Sequence, residues 1–145
     1  MTVDPQALAE AARDAMWSTD KASQAAGMRV VAVAPGQATL EMRVRDDMVN
    51  GHGICHGGYL FLLADSTFAF ACNSHNQKAV AQQCAITFLK PAFEHELLTA
   101  TATELAQQGR SGIYDIAVCN DAGEVVAQFR GHSRTIKGQH VETTA

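Results

Sequence analysis

The chain has 145 residues, of which 47% are hydrophobic, and a formal net charge of -4 at pH 7. This length and composition suit one domain with a full hydrophobic core. The negative charge disfavours nucleic acid as a partner, because a phosphate backbone needs clustered Lys and Arg. No apolar run reaches the ~20 residues that span a bilayer, and no basic and apolar leader is present. We therefore expect a cytoplasmic protein with no membrane or nucleic-acid partner.

The first third of the chain predicts one helix followed by two strands. Pro5 suits a first helical turn, and an apolar stripe at helical spacing follows it. Apolar and polar residues then alternate as in half-buried strands, with a turn at Pro35-Gly36 between them. The predicted elements are a helix over residues 5–18, strands over 28–34 and 37–45, and a loop over 46–55.

The rest of the chain predicts one long helix and four strands. The helix, over residues 57–75, is apolar on nearly all sides, which indicates that it is buried. Runs of antiparallel strands around one buried helix are typical of an α+β fold, in which a curled antiparallel sheet wraps one long central helix. The strands are predicted at about 79–89, 97–107, 112–120 and 124–134. The predicted organisation is an N-terminal helical segment at 1–24, a domain at 25–137 and a polar, disordered tail at 138–145.

Two glycines, Gly57 and Gly58, stand where the long helix begins. The first amides of a helix have no intrahelical partner and lie at the positive end of its dipole. Without a Cβ, Gly57 would let a substrate carbonyl approach this backbone closely, as an oxyanion site requires. A tight loop-to-helix junction explains the same glycines without any function, and Gly58 alone favours that interpretation.

Asp65 lies two turns inside the helix among apolar neighbours, namely Phe61, Leu62, Phe68 and Ala69. A carboxylate on such a face loses hydration, so it is expected either to be paired or to have a function. The functional hypothesis makes Asp65 a base or nucleophile. The structural alternative is a buried Asp that caps backbone groups or pairs with an Arg.

The spacing of Gly57 and Asp65 has a consequence for assembly. Eight residues of helix separate them by about 12 Å along the axis at roughly 1.5 Å per residue. Because reacting groups approach to about 3–3.5 Å, one substrate carbonyl cannot touch both groups of the same helix. If both act, Asp65 of one subunit must face Gly57 of another, so this hypothesis requires a homodimer with two shared active sites.

The segment from Asn50-Gly51-His52-Gly53 through His56-Gly57-Gly58 to Asp65 resembles the active-site motif of hot-dog acyl-CoA thioesterases of the phenylacetic-acid-degradation group. Further similar segments are Phe88-Leu89-Lys90-Pro91, Gly112-Ile113-Tyr114-Asp115 and Ala127-Gln128-Phe129-Arg130-Gly131. The resemblance covers roughly residues 25–137. It implies a hot-dog fold and hydrolysis of acyl-CoA thioesters, with aryl-acyl groups such as phenylacetyl or hydroxyphenylacetyl.

The resemblance also implies roles for single residues. By position, Asp65 is the catalytic carboxylate, Gly57 holds the thioester oxygen with its amide, and Asn50 and His56 are polar neighbours of the reacting group. Some members place a Ser or Thr on the strand facing the acid, to hold the attacking water. Here Ala81 takes that position, and the nearest polar candidates, included among the substrate-binding residues, are Gln82 and Gln83. The family needs no metal or cofactor and forms homodimers that join their sheets side by side and usually pair into homotetramers.

Basic side chains of the second half are candidates for binding the phosphates of coenzyme A. Arg130 is favoured among them because it lies in a matching strand, and Gly58 completes the candidate substrate-binding set. Ordinary solvated charge remains the alternative for each basic residue. The basic candidates are Lys90, Arg110, Arg130 and Arg134.

Four rival hypotheses use the same residues or the same fold. His52, Cys55 and His56 fit no common zinc spacing, and Cys55 is a poor thiol nucleophile because adjacent residues rarely face one another. All four cysteines are expected to be reduced and buried. A non-catalytic acyl-CoA-binding domain would not need Asp65, and a hydratase would need a second acid-base group near it.

Overall fold

The computed structural model describes residues 3–143. Its helices are α1 (Pro5–Trp17), α2 (Lys21–Ala25) and α3 (Gly57–Cys72), with a short 3-10 turn at Asp46–Met48. Its strands are β1 (Arg29–Ala34), β2 (Gln37–Arg43), β3 (Gln77–Phe88), β4 (Leu97–Gln108), β5 (Ser111–Cys119) and β6 (Val125–Gln139). Within these residues no helix is long and apolar enough to cross a membrane.

The six strands form one antiparallel sheet in the order β1-β2-β4-β5-β6-β3. The central helix α3 packs against all six strands. Alternate residues of β2 and β5, and of parts of β4 and β6, face this helix and are buried, which is the period that a half-buried sheet requires. The largest of these buried side chains are Leu40, Met42, Leu98, Tyr114, Ile116, Val118 and Phe129. The predicted α+β fold, with one long helix inside a curled antiparallel sheet, is confirmed.

Helix α3 sits close to the sheet because small residues face it. A Cβ on Gly131 of β6 would come within 2.7 Å of the Phe68 ring, so only glycine lets the ring lie against the strand. Phe68 also packs on Tyr114 and Phe129, with ring centroids 5.6 and 6.0 Å apart. These contacts hold the helix in one position, so the residues at its start and middle project in defined directions.

Several elements differ from the prediction, which also placed the start of β3 after Gln77 and the end of β6 before Gln139. Asp20 caps an additional short helix, α2, by accepting a hydrogen bond from the Ser23 amide at 3.0 Å. Helix α3 ends at Cys72 rather than at residue 75, because the Asn73 side chain donates to the Ala69 carbonyl at 2.8 Å. Strand β1 begins one residue after the predicted start, and β2 ends at Arg43.

The prediction of a disordered tail is wrong for residues 138–141. Strand β6 continues to Gln139, and the amides of His140 and Val141 both donate to the Asn76 side-chain oxygen, at 3.1 and 3.0 Å. The chain beyond Gly138 is therefore attached to the loop that follows α3. The last two residues of the predicted tail, and the first two of the N-terminal segment, lie outside the described residues.

Candidate active site

The start of α3 is held in place by the loop before it. The His56 amide donates to the Met48 carbonyl at 2.7 Å, and the Cys55 amide donates to the Ala92 carbonyl at 2.8 Å. The loop thus lies between the core and the chain that follows β3. Because the backbone on both sides is anchored, the first turn of α3 presents its amides in a fixed direction.

The backbone donors of this first turn can be accounted for one by one. The Gly58 amide donates to His56 Nδ1 at 2.8 Å, and the Tyr59 amide donates to the His56 carbonyl at 2.9 Å. Within residues 3–143 the Gly57 amide donates to no protein acceptor. Gly57 therefore keeps a free N–H at the positive end of a 16-residue helix, as an oxyanion-binding donor must.

His56 is the N-terminal cap of α3. Because Nδ1 accepts the Gly58 hydrogen bond, the neutral ring carries its proton on Nε2. No hydrogen bond joins His56 to Asn50 within the described part of the chain. The ring is exposed and caps the start of the helix.

Asn50 has one end of its amide occupied and the other free. Its Oδ1 accepts hydrogen bonds from the His52 amide at 2.9 Å and the Ile54 amide at 3.4 Å, which closes the glycine-rich loop. These two bonds identify the oxygen, and the other amide atom, Nδ2, donates to no acceptor among residues 3–143. Asn50 thus offers a second N–H donor near Gly57.

Asn50 and Gly57 line the same cavity, which we call the Gly57 cleft. It has a volume of about 580 Å³ and is mostly apolar. The ring of Phe88, which is 52% exposed, lies over Gly57, and a Cβ on Gly57 would come within 2.9 Å of it. The remaining walls come from the loop before α3, from Leu60 and from the chain after β3, namely Ile54, Cys55, Leu89, Lys90, Pro91 and Ala92.

The aromatic wall of this cleft was missed as a site residue in the sequence analysis. Phe88 ends strand β3, and its exposure is not readable from an apolar run. The available signal was its place in Phe88-Leu89-Lys90-Pro91, a segment shared with the family and not needed by the core. A proline-terminated strand with an exposed aromatic residue is a reasonable marker of a site wall.

Asp65 is a half-buried carboxylate without a partner. It takes part in no hydrogen bond or salt bridge among residues 3–143, so neither structural alternative, a backbone cap or an Arg pair, is present. Burial raises the pKa of Asp65 above its ordinary value. Its nearest titratable neighbours are the Cys72 and Cys84 thiols, whose pKa values the Asp65 charge raises further after their own burial.

Asp65 does not line the Gly57 cleft of its own chain. The two residues are eight positions apart on one continuous helix, about 12 Å along its axis at roughly 1.5 Å per residue. A single chain therefore presents an oxyanion donor in one place and an unpaired carboxylate in another.

Neither Gln82 nor Gln83 of β3 lies in the Gly57 cleft. Gln83 pairs with His132 of β6, while the neighbours of His132 on that strand are buried, so Gln83 is on the outer face of the sheet. Gln82 has no cross-strand partner because it occupies an irregularity between Ala81 and Gln83. Ala81 shares the helix-facing side with Cys84, and it offers no hydroxyl to hold a water.

The four basic candidates are not brought together within one chain. Lys90 lines the Gly57 cleft and forms an ion pair with Glu124. Arg130 binds Asp115 through two bonds of 2.6 and 2.9 Å on the outer face of the sheet. Arg110 and Arg134 lie at the end of the sheet opposite to Phe88.

The chemistry of Cys55 excludes the thiol hypothesis. Burial raises the pKa of this thiol to about 11, and its Sγ donates to the His56 carbonyl at 3.6 Å rather than to the imidazole. It therefore stays protonated at neutral pH. Among residues 3–143, no three His, Cys, Asp or Glu side chains are grouped as metal ligands.

Comparison with known proteins gives the class of this fold and site. Residues 52–127 match the Thioesterase superfamily. The chain is 45% identical over 124 residues to the acyl-coenzyme A thioesterase PaaI of Escherichia coli K12, covering 86% of this chain and 89% of that protein. It is 33% identical over 104 residues to acyl-coenzyme A thioesterase 13 of Homo sapiens, covering 70% of this chain and 74% of that protein.

The structural comparison agrees with the sequence comparison. The structure of E. coli PaaI, a protein from the phenylacetic acid degradation operon, superposes with a TM-score of 0.92 at 42% identity, covering 94% of this chain and 99% of that one. Fold and site thus define a hot-dog enzyme that hydrolyses thioesters, rather than a non-catalytic binding domain. The chain belongs to the Thioesterase superfamily, and the family predicted from its sequence is confirmed.

Proposed function

We propose that this thioesterase hydrolyses acyl-CoA thioesters to a free carboxylic acid and coenzyme A, with aryl-acyl groups such as phenylacetyl or hydroxyphenylacetyl as substrates. The names of its E. coli and Homo sapiens relatives support the acyl-CoA class, and the operon of the E. coli protein supports the phenylacetyl group. The reaction in this proposal uses no metal or cofactor. Coenzyme A is part of the substrate.

The Gly57 amide binds the carbonyl oxygen in this proposal. It is the free donor of the first turn of α3, and the helix dipole adds to the stabilisation of a developing negative charge. The unoccupied Nδ2 of Asn50 faces the same cleft and provides a second polar contact for the thioester. Loss of one oxyanion donor costs about 3–4 kcal/mol of activation free energy in other enzymes.

Asp65 provides the other half of the chemistry. Its ionised carboxylate either attacks the carbonyl carbon, giving a mixed anhydride that water then hydrolyses, or takes a proton from the attacking water. In both routes the C–S bond breaks, and coenzyme A leaves as the thiol with a proton that comes from the water. Burial raises its pKa, which makes the carboxylate a stronger base than an exposed Asp. The single observation that carries the proposal is this unpaired, half-buried carboxylate on the helix whose first amide is also unpaired.

Both groups meet only if two chains combine. Strand β3 is an edge of the sheet, with most of its 12 residues exposed, and an exposed edge of this length is ready to pair with another strand. Pairing two β3 edges across a two-fold axis would make α3 of each chain neighbour the other, with Asp65 of one chain facing Gly57 of its partner. The enzyme is then a homodimer with two shared sites, and a homotetramer if two dimers pair.

The coenzyme A end of the substrate leaves through the rim of the Gly57 cleft. Lys90 is the basic candidate that lies there, where its ion pair with Glu124 holds the ammonium group near the opening. A phosphate oxygen can replace the Glu124 carboxylate as its partner. Arg110, Arg130 and Arg134 would contribute only from another subunit.

A free-thiol assay over a panel of aryl, short and long acyl-CoAs tests this function. We expect hydrolysis of arylacetyl-CoA by the wild type and a loss of kcat of at least about a hundredfold for Asp65→Asn, with the fold retained by circular dichroism. Asp14→Asn, which changes an exposed carboxylate on α1, is the matched control and should keep its activity. Near-normal turnover by Asp65→Asn would reject the assignment.

A further inference from the structure

The loop that carries Asn50 is a tight turn beside the Gly57 cleft. The Asn50 amide donates to the Ile54 carbonyl at 2.8 Å, and the Gly53 amide donates to the Asn50 carbonyl at 3.0 Å. The Asn50 side-chain oxygen accepts from the second and fourth amides after it. The three residues at the tip, from Gly51 to Gly53, are exposed, whereas Asn50 itself is half-buried. Solvent therefore reaches the backbone next to a side chain of the candidate site.

A second loop, between β5 and β6, repeats this arrangement. The Asn120 amide donates to the Glu124 carbonyl, and the Gly123 amide donates to the Asn120 carbonyl, both at 2.9 Å. The Asn120 side-chain oxygen also accepts from the second and fourth amides after it, both at 3.0 Å. Asn120 is half-buried and the tip of its loop is exposed, as in the first loop. The residue after the asparagine differs, because it is Gly51 in the first loop and Asp121 in the second.

Asn50 is the only asparagine of the chain that is followed by glycine. The Gly51 amide donates to no acceptor among residues 3–143, and a Cβ at Gly51 would meet no atom within 4 Å outside its chain neighbours. This backbone nitrogen is thus unshielded and able to attack the neighbouring side-chain amide. In the second loop the Asp121 carboxylate stands beside the equivalent nitrogen, and its negative charge opposes the loss of the amide proton that such an attack requires.

The hydrogen bonds of the Asn50 side chain favour this attack. Its Oδ1 accepts from the His52 amide at 2.9 Å and from the Ile54 amide at 3.4 Å, so two N–H groups stabilise negative charge on that oxygen. Its Nδ2 donates to no acceptor in the described range, whereas Nδ2 of Asn120 donates to the Glu124 carboxylate at 3.2 Å. The amide nitrogen of Asn50 is therefore the less restrained leaving group of the two.

We propose that Asn50 is a site of spontaneous deamidation and that this modification inactivates the enzyme. Asparagine is a thermolabile residue. The Gly51 nitrogen attacks Cγ of Asn50, the bond from Cγ to Nδ2 breaks, and ammonia leaves with the proton of the Gly51 amide. Water then adds to one of the two carbonyl carbons of the succinimide: addition at Cγ gives aspartate, and addition at the backbone carbon gives isoaspartate. The overall reaction consumes one water and releases one ammonia.

The product changes the charge of the Gly57 cleft. A carboxylate at position 50 still accepts from the His52 and Ile54 amides, but it has no N–H to donate to the thioester. Its negative charge lies in the cleft where negative charge develops on the carbonyl oxygen, which raises the activation free energy. The loss of activity rests on the proposed thioesterase function, whereas the modification itself does not.

Ageing of the purified wild-type protein in warm, mildly alkaline buffer tests the proposal. Peptide mapping by mass spectrometry follows the conversion of Asn50 and of Asn120, and thiol release from phenylacetyl-CoA follows the activity. We expect Asn50 to convert at least about tenfold faster than Asn120, and the activity to fall in parallel with the fraction of unmodified Asn50. Equal conversion of the two asparagines, or none at Asn50, would overturn the inference.

Two substitutions provide matched controls. Gly51→Ala adds a methyl group beside the attacking nitrogen, at a position with open space and no positive φ. It should slow both the conversion of Asn50 and the loss of activity at least about tenfold, each measured against the fresh variant. Asp121→Gly should speed the conversion of Asn120 without speeding the loss of activity, because that loop does not line the Gly57 cleft. An unchanged rate of activity loss in Gly51→Ala would contradict the inference.

The outcomes separate this inference from the function beneath it. If the fresh wild type cleaves no acyl-CoA, the proposed function fails, while mass spectrometry still decides whether Asn50 converts. If the fresh enzyme is active but the modified protein, separated by ion exchange, keeps that activity, the proposed function stands and inactivation by deamidation is wrong. The comparison of Asn50 with Asn120 in the wild type decides the matter if Gly51→Ala does not fold.

Discussion

The two edges of the sheet differ in how they are protected. Strand β1 has 6 residues, a bulge between Val30 and Ala32, and a cover from α1, whose Gln6 side chain donates to the Val33 carbonyl at 2.8 Å. Strand β3 also has irregularities, between Gln77 and Ala79 and between Ala81 and Gln83, but it has 12 residues and no such cover among residues 3–143. A short, covered edge does not pair further, whereas a long bare edge can. The comparison indicates which side of the molecule receives a second chain.

Helix α3 shows a similar contrast between two neighbouring polar residues, one with hydrogen-bond partners and one without. Ser66 is buried against α2, and its hydroxyl lies 2.8 Å from that of Ser23, which donates to Asp20 at 2.7 Å. Asp65, one residue earlier, is half-buried without a partner. Polar groups are thus satisfied on the side that stays within the chain and left unsatisfied on the side where chemistry is proposed. Unpaired buried charge costs stability, so its presence indicates a function.

Dimers formed from two different variants give the sharpest test of the proposed pairing through the bare edge β3. Gly57→Pro removes the free N–H at the first helical position, where proline is tolerated and where His56 already has the extended conformation that precedes proline. Alone, Gly57→Pro and Asp65→Asn should each be nearly inactive. Refolded together at equal concentrations, they should recover about a quarter of the wild-type activity, because half of the dimers then carry one intact site of two.

The control for this experiment is Gly57→Ala, which keeps the N–H but adds the same Cβ contact with the exposed Phe88 ring. Its activity should exceed that of Gly57→Pro by at least about tenfold. If the mixture of Gly57→Pro and Asp65→Asn stays as inactive as its components, although exchange of subunits is verified by mass spectrometry, the two groups do not meet across an interface.

A lysine substituted on one edge strand or the other, β3 or β1, tests which edge of the sheet pairs with a second chain. Ala85→Lys on β3 places two like charges in a dimer joined through β3, so we expect dimerisation to weaken by about tenfold or more. Specific activity should then rise with protein concentration in parallel with the dimer fraction measured by analytical ultracentrifugation. Ala32→Lys, a change at an exposed alanine on β1, should leave the dimer fraction and the specific activity unchanged. A fully active monomer of Ala85→Lys would contradict the shared site.

The smallest predicted effect is on stability. Burial raises the pKa of Asp65 in the folded state, so the native state holds this proton more tightly than the unfolded state does. Wild-type stability therefore falls as the pH rises from the ordinary pKa of an Asp to the raised pKa of Asp65. Asp65→Asn should therefore increase the free energy of unfolding at pH 7 by about 0.5–2 kcal/mol. The gain should disappear below the ordinary pKa of an Asp, where both proteins are neutral at this position.

Urea unfolding at pH 7 and at acidic pH measures this gain, and Asp115→Asn provides a comparison of opposite sign. Arg130 lowers the pKa of Asp115, so its ion pair stabilises the fold above the ordinary pKa and is lost as pH falls. The Arg130 side chain is exposed and the Asp115 side chain is 32% exposed, so water screens the pair, and the loss for Asp115→Asn should be below about 1 kcal/mol. Equal pH profiles for the two variants would show that Asp65 is not an unpaired charge.

Much of the fold was readable because it follows from local patterns. The period of apolar residues predicted α1, α3 and all six strands, with most boundaries within two residues. One exception is local, since α3 ends early where the Asn73 side chain donates to the Ala69 carbonyl four residues before it. The other depends on a distant contact, since the tail is attached where Asn76 binds His140 and Val141. Hydrogen bonds across 60 or so positions leave no periodic signal in a single sequence.

The candidate site could be predicted in part, again because some of its features are local patterns in the sequence. Gly57 and Asp65 stand out locally, one by its backbone freedom and the other by its apolar neighbours. The grouping of Arg110, Arg130 and Arg134 with Lys90 was not seen within one chain, because strand register, rather than residue type, decides which end and face of the sheet a side chain occupies. The ring of Phe88 over Gly57 is a contact of the same kind.

By itself, the sequence determined the class of fold, the family and the two residues on which the chemistry is proposed to depend, since helix period and glycine placement are local properties. Only the tertiary structure decided that, among residues 3–143, the Gly57 amide donates to no acceptor and Asp65 has no hydrogen-bond or ionic partner. Each of these depends on which atoms lie within about 3 Å in space, and that is decided by packing of segments far apart in the chain.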